Sequence, residues 1–195
     1  MSFIQNLTAK PAILDFLRKL LENNHRGEKQ VILNELPDRI SKKVLDLGCG
    51  TGAFSPFFGP DYIGMDISEK YIEYARHKYS DRTFLAGDAQ TLDFPASFFD
   101  IIFVNGVLHH LDDDTVLKIT REINRVLRPE GRALIMENIL NETLLSKLIA
   151  MLDLGKYIRP SGGYRRLLAE YFNIADTYPI RMGICDYQVF VLTKN

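Results

Sequence analysis

Short apolar runs alternate with amphipathic stretches along most of this chain. Five runs of strand length, Lys43–Leu47, Tyr62–Asp66, Thr83–Ala86, Asp100–Val104 and Arg132–Glu137, are rich in Val, Ile, Leu or Phe, as strands covered on both faces are. Between them, Glu69–Tyr79 and Thr115–Arg128 read as helices. In the second, Val116, Ile119, Ile123, Val126 and Leu127 share one face, Asp114 stands as N-cap, and Arg128-Pro129-Glu130-Gly131 ends the helix. Strands joined by crossovers of about a dozen residues or more pair in parallel, so the pattern predicts an α/β fold with helices over a mainly parallel sheet.

Outside this core the pattern changes. Pro11 to Asn24 is amphipathic, with Ile13, Leu14, Leu17, Leu20 and Leu21 at helical spacing, and Glu28 to Arg39 is a weaker helix. Leu140 to Leu154 predicts a helix with a very wide apolar face, which needs covering by core, lid or partner. Tyr164, Leu167, Leu168, Tyr171 and Phe172 mark another helix, and Ile180–Met182 with Tyr187–Leu192 a closing hairpin around Gly183. The expected organisation is one domain over 1–195: N-terminal helices to 40, a core over 42–138, a cap region over 139–173 and the terminal strands over 174–195.

With 195 residues, 46% hydrophobic and 25% charged, the chain has the composition of one ordinary globular domain. A net charge of −1 gives no general footprint for a phosphate backbone, so nucleic-acid partners are disfavoured. Cys49 and Cys185 lack disulfide or zinc-knuckle spacing, and His25, His77, His109 and His110 add no ligand pattern, so no metal is expected and a reducing cytoplasm is. Met1 to Lys10 has no apolar export core, and no apolar run approaches the ~20 residues of a membrane span.

The chemistry gathers after the first strand. Val44-Leu45-Asp46-Leu47-Gly48-Cys49-Gly50-Thr51-Gly52-Ala53 runs from strand into a glycine turn, where missing β-carbons let a nucleotide-like ligand approach the backbone. Gly48-x-Gly50-x-x-Ala53 also satisfies a dinucleotide fingerprint, with Asp66 where an acid grips a ribose. Asp46 decides between ligands: a carboxylate at the crevice repels an anionic pyrophosphate and suits the ammonium and sulfonium of S-adenosylmethionine.

At these residues the sequence resembles the class I S-adenosylmethionine-dependent methyltransferases, in particular the type 11 small-molecule group, closely over Lys42–Asn138. The matching motifs are Asp46-Leu47-Gly48-Cys49-Gly50-Thr51-Gly52, Gly64-Met65-Asp66-Ile67-Ser68, Gly87-Asp88-Ala89, Asp100 through Leu111, and Leu127-Arg128-Pro129-Glu130-Gly131. The resemblance implies a Rossmann-like, doubly wound sheet of seven strands, one of them antiparallel. It also implies that Asp46, Gly48, Cys49 and Gly50 hold the methionine end, Asp66 the ribose, Ile67, Gly87, Asp88 and Ala89 the adenine, with Asn105 beside the cofactor. One departure is the short stretch Ala53–Asp61, whose Pro56, Gly59 and Pro60 leave room for barely two helical turns.

Methyl transfer needs alignment, and a base only where the acceptor must lose a proton. His109 and His110, just past the fourth strand, are the candidate bases, against packing or capping roles. Cys49 reads as a packing residue, since no base is evident beside it. Lys156, Arg159, Arg165 and Arg166 form either a cationic rim for an anionic acceptor or a solvated face, and Tyr157 and Tyr164 flank the same stretch. With the Leu140–Tyr164 cap, Tyr157, Arg159 and Tyr164 are the expected acceptor contacts. The expected activity is methyl transfer to a small organic acceptor, apolar or lipid- or quinone-like. Its rivals are a nucleic-acid or protein methyltransferase, a non-catalytic cofactor-binding subunit or sensor, and an NAD-dependent oxidoreductase.

Overall fold

The computed structural model describes residues 10–13, 15, 23–139, 156–182 and 185–195. The expected helix over Leu140–Leu154, most of the first amphipathic segment and the turn at Gly183 lie outside them.

Seven strands build one sheet: β1 (Val44–Leu47), β2 (Tyr62–Asp66), β3 (Thr83–Ala86), β4 (Phe99–Asn105), β5 (Leu127–Asn138), β6 (Phe172–Met182) and β7 (Cys185–Lys194). Their order is β3-β2-β1-β4-β5-β7-β6. β1 pairs in parallel with both β2 and β4, while β7 runs antiparallel between β5 and β6. The expected doubly wound sheet, mainly parallel with one antiparallel strand, is the architecture found.

Alternation along the central strands separates two cores. Leu45, Leu47, Ile102, Val104 and Ile135 pack with α3 (Asp113–Val126) and α4 (Ser161–Ala169). Val44, Ile101, Phe103, Leu134 and Met136 pack on the opposite face with α1 (Arg26–Glu35) and α2 (Glu69–Lys78). The central strands are therefore apolar at nearly every position, because both faces are covered.

The ends of several elements differ from the sequence reading. The α3 cap is Asp112, not Asp114: the Asp112 side chain accepts from the Thr115 N–H at 2.9 Å, leaving Asp113 and Asp114 in the first turn, where the helix dipole favours acids. β5 begins at once after α3, and Arg128-Pro129-Glu130-Gly131 falls where the β4–β5 register shifts between Phe99 and Ile101. α4 ends at Ala169, and Phe172 opens β6. The Ala53–Asp61 stretch holds only a 3-10 turn, Ser55–Phe57, shorter than the expected two turns.

The chain leaves β1 for β2 and β3 on one side, then returns to place β4 on the other. Such a reversal opens a crevice outside the carboxyl ends of the two diverging strands, here at Asp46–Gly52 and Asn105–Gly106.

Gly59 carries a steric test of this packing. A β-carbon there would stand 1.8 Å from the Ile40 carbonyl oxygen, which is backbone and cannot swing aside. Gly59→Ala is expected to cost about 2 kcal/mol by overpacking, read as a lowered thermal midpoint. Gly162→Ala, inside α4 with nothing within 4 Å of the added carbon, should leave the midpoint unchanged or raised. Equal melting of the two variants would contradict the Ile40–Gly59 contact.

Candidate functional site

The glycine turn after β1 is threaded between two side chains. Gly48, Gly50 and Gly52 all have positive φ, at 75°, 52° and 75°, a conformation costly for other residues. A β-carbon on Gly48 would lie 2.3 Å from Val107 Cγ2, and one on Gly52 2.7 Å from Phe84 Cζ. The turn is tied down by the Gly48 and Cys49 N–H groups, which donate to the Met65 carbonyl at 2.7 and 3.0 Å. At Gly50 no atom stands within 4 Å of the β-carbon position, so the turn is open on that side.

Beneath it the crevice is lined by Asp46, Gly48, Cys49, Thr51, Ala53, Phe54 and Asn105. Asp46 is only 2% exposed and accepts a hydrogen bond from the Tyr62 hydroxyl at 2.7 Å. Burial, and then the Asp46 charge, push the Tyr62 phenol well above its ordinary pKa, so it acts as a donor. Asn105 is equally enclosed, and neither its Oδ1 nor its Nδ2 has a partner. An unpaired buried carboxamide costs about 1–3 kcal/mol, and here it lies on the crevice wall beside a buried carboxylate. That pair fits the cationic, hydrogen-bonding methionine end of S-adenosylmethionine.

The other expected cofactor residues line the open rim where β2 and β3 end. Asp66 accepts from the Gly50 N–H at 2.9 Å through one carboxylate oxygen and from the Ser68 N–H at 2.8 Å through the other. Burial raises its pKa against the lowering effect of those two N–H groups. Ile67 is 78% exposed, an apolar face turned to solvent. Gly87 follows β3 and donates to the Asp66 carbonyl at 3.0 Å. Asp88 is exposed and accepts from the Gln90 N–H at 2.9 Å, with Ala89 half-buried between them. This arrangement could hold a ribose and an adenine side by side.

Two buried residues in the crevice wall come from the N-terminal part of the chain: Asp15, from the polar face of the expected first helix, and His25, just past that helix. The Asp15 carboxylate receives the Thr51 hydroxyl and the Lys78 ammonium, binding the N-terminal segment to the glycine turn and to α2. His25, at φ 57°, packs edge-on against Phe54 with ring centroids 5.1 Å apart. Neither carries a local motif that would have announced it.

Past β4 the expected catalytic and acceptor residues come together, with unequal exposure. His109 is buried, its Nδ1 lies 2.8 Å from Glu137 Oε2, and its ring meets that of the exposed His110 at 4.1 Å. Half-buried Tyr157 donates its N–H to the His109 carbonyl at 2.8 Å. Arg159 differs from the expected acceptor contact. Its guanidinium is spent on Asp113 Oδ1 at 2.9 Å, on the Leu108 and Tyr157 carbonyls at 3.0 Å and on the Leu111 carbonyl at 2.6 Å. Tyr164 is likewise enclosed, donating to the Asn138 carbonyl at 3.1 Å. The expected cationic rim is divided, because Asp113 also takes Arg166 at 2.9 Å. Among the described residues no group of three or more His, Cys, Asp or Glu side chains is arranged to hold a metal.

Comparison with known proteins adds the following. Residues 45–135 match the family model described as a methyltransferase domain. The uncharacterised methyltransferase YcgJ of Bacillus subtilis is 37% identical over 109 residues, which cover 51% of this chain and 42% of YcgJ. The ubiquinone/menaquinone biosynthesis C-methyltransferase UbiE of Pectobacterium carotovorum is 28% identical over 167 residues, covering 75% of this chain and 65% of UbiE. The crystal structure of the PH0226 protein of Pyrococcus horikoshii superimposes with a TM-score of 0.74 at 23% identity, over 88% of this chain and 91% of that one. The alignment with YcgJ thus spans less than half of that relative's length.

Cys49 tests the polarity of the crevice. Burial first, then the charges of Asp46 and Asp66, push its thiol well above its ordinary range. In the folded chain its alkylation by iodoacetamide at pH 8, followed on the Cys49 peptide by mass spectrometry, should run at least about a hundredfold slower than in denatured chain. The rate should still be rising beyond pH 9. A rate equal to that of denatured chain would contradict the enclosed, electronegative site.

Proposed function

We propose that this member of the class I S-adenosylmethionine-dependent methyltransferases, whose residues 45–135 match the methyltransferase-domain family, transfers a methyl group to a small organic acceptor. The observation that carries the reading is the buried pair of Asp46 and Asn105 behind the glycine turn, a carboxylate beside an unpartnered carboxamide. Such a wall binds a cationic amino-acid end and repels a pyrophosphate. It therefore speaks against a nicotinamide dinucleotide, for which the fold alone would serve equally well.

When bound, S-adenosylmethionine supplies an electrophilic methyl group on a sulfonium. This chain's residues do the rest. Asp46, fixed by Tyr62, and Asn105 hold the methionine end, with Gly48, Cys49 and Gly50 leaving room along the backbone. Asp66 takes the ribose hydroxyls, and Ile67, Gly87, Asp88 and Ala89 enclose the adenine. Val107 packs over Gly48 and holds the glycine turn close to the end of β4, and a site held this rigidly would aid alignment of the reacting groups. His109 is the base where the acceptor must lose a proton, with Tyr157 beside it at the acceptor side.

The acceptor class we propose is apolar and lipid- or quinone-like. The name of UbiE, a quinone-biosynthesis C-methyltransferase, supports it, as does the apolar Leu140–Leu154 sequence that precedes Tyr157 in the chain. The balanced charge of −1 argues against nucleic acid. The two cysteines, which lack disulfide-framework or zinc spacing in the sequence, support a cytoplasmic setting. No helix among the described residues is long and apolar enough to cross a membrane.

Two measurements test this reading. Methyl-labelled S-adenosylmethionine offered with quinols, apolar phenols and acyl acids should label a small acceptor and leave DNA, RNA and protein unlabelled. Label in a macromolecule overturns the acceptor class, and cofactor binding without transfer to anything overturns the catalytic reading. Asp66→Ala should weaken S-adenosylhomocysteine binding at least tenfold, about 1.4 kcal/mol. In the native chain that affinity should fall on acidification sooner than an exposed aspartate would dictate, since Asp66 accepts from the ribose only while ionised and its pKa is raised. Unchanged affinity in a folded Asp66→Ala chain would remove the ribose from this rim.

A further inference from the structure

The wall made by Asp46 and Asn105 suits the ammonium of a methionine end, but Asp46 repels the α-carboxylate on the same carbon. Such a carboxylate can be taken by the first N–H groups of a helix, yet the stretch after the glycine turn holds only the 3-10 turn Ser55–Phe57. None of the described residues lining the crevice is Lys or Arg. One place in its wall nevertheless receives a carboxylate. The Thr51 hydroxyl, on the glycine turn, and the Lys78 ammonium, in the last turn of α2, donate to the two oxygens of Asp15. Thr51 and Asp15 are both buried, and both line the crevice with Asp46 and Asn105. α2 comes this close where Gly52 has no side chain: a β-carbon there would stand 3.3 Å from Ala75 Cβ, one turn before Lys78. The Lys78 ammonium lies 5.4 and 5.1 Å from the ring centres of Tyr74 and Tyr79. Burial works against its charge, but the bond to Asp15 and the Asp15 charge outweigh that and raise its pKa, so it stays a cation.

We propose that Thr51 and Lys78 form the seat of the cofactor's α-carboxylate, and that Asp15 is an internal competitor for it, the chain's own carboxylate on donors that the ligand's carboxylate takes over. This rests on the reading of the crevice as the methionine site. The ligand's ammonium faces Asp46 and Asn105 while its carboxylate turns to Thr51 and Lys78, so each charge of the zwitterion meets its opposite. No covalent bond changes: one charge-assisted pair is exchanged for another, and the Asp15 carboxylate passes to water. An internal competitor lowers apparent affinity in proportion to the fraction of time it holds the seat. An Asp15 that only fastened the N-terminal segment would act in the opposite sense, since its loss would loosen the crevice wall and weaken every ligand alike.

The experiment is calorimetric titration of the full-length chain with S-adenosylhomocysteine and with its decarboxylated analogue, which keeps the adenosine, sulfur and ammonium and lacks only the carboxylate. Native chain should bind S-adenosylhomocysteine about tenfold more tightly than the analogue. Asp15→Asn keeps the shape and an oxygen for Thr51 while dropping the charge. It should raise S-adenosylhomocysteine affinity about fivefold, with the analogue changed less than about threefold. Lys78→Met keeps an apolar stem and should remove most of the native preference, lowering S-adenosylhomocysteine affinity about tenfold with the analogue again little changed. Thr51→Val should act in the same direction. An Asp15→Asn chain that binds S-adenosylhomocysteine no better than native, or that does not fold, overturns the competitor role, because a group the ligand displaces cannot be indispensable to the fold. A native chain without preference between the ligands, or a Lys78→Met chain weakened equally for both, overturns the seat. Either result leaves the cofactor reading standing, whereas no binding of either ligand by folded native chain overturns that reading instead. Should Lys78→Met not fold, the native preference and Thr51→Val decide.

Discussion

The site depends on how closely the backbone after β1 passes its neighbours. At Gly48 the gap to Val107 is too small for a β-carbon, and at Gly52 the gap to Phe84 is too small as well. Three alternate positions with positive φ, Gly48, Gly50 and Gly52, let the chain turn in that space and expose its own backbone to the crevice. The same turn brings Asp46, at the buried end of β1, to the crevice floor opposite Asn105 at the end of β4. β1 and β4 stay paired as far as Leu47 and Val104, so topology brings the Asp46 carboxylate and the Asn105 carboxamide, one residue beyond that pairing, to the wall of one crevice.

Buried polar groups in this region are matched to different tasks. Glu137 is saturated by donors from one turn, and Arg159 by acceptors from the same turn and from Asp113. Networks satisfied this fully make a rigid frame. Asn105 has no such partners, and unpaired groups are costly to keep buried. The contrast separates a frame from a candidate binding surface: saturated residues hold the post-β4 turn in place, while Asn105 presents its carboxamide at the crevice wall.

The sequence made the core legible because its information there is local. Central strands show as unbroken apolar runs, the α3 face follows from helical spacing, and the glycine turn with Asp46 announces a ligand end and its charge. Long-range information was hidden. Asp15 looks like any polar residue on an amphipathic helix, and only the fold brings it to Thr51 and Lys78. Glu137 reads as the last residue of a strand, although its partners lie about 30 positions earlier. Arg159 looked like part of a cationic rim because Asp113, which neutralises it, is 46 positions away. Asp114 was favoured as the α3 cap since three aspartates stand in a row, and only backbone geometry at Asp112 decides among them.

Calorimetric titration of the native chain with S-adenosylhomocysteine and, in parallel, with NAD tests the central claim most directly. Asp46 and Asn105 as the floor of the crevice predict saturable, single-site binding of the first ligand and none of the second. Binding of NAD, or no binding of S-adenosylhomocysteine by demonstrably folded chain, would contradict the assignment of the glycine turn to a cationic cofactor.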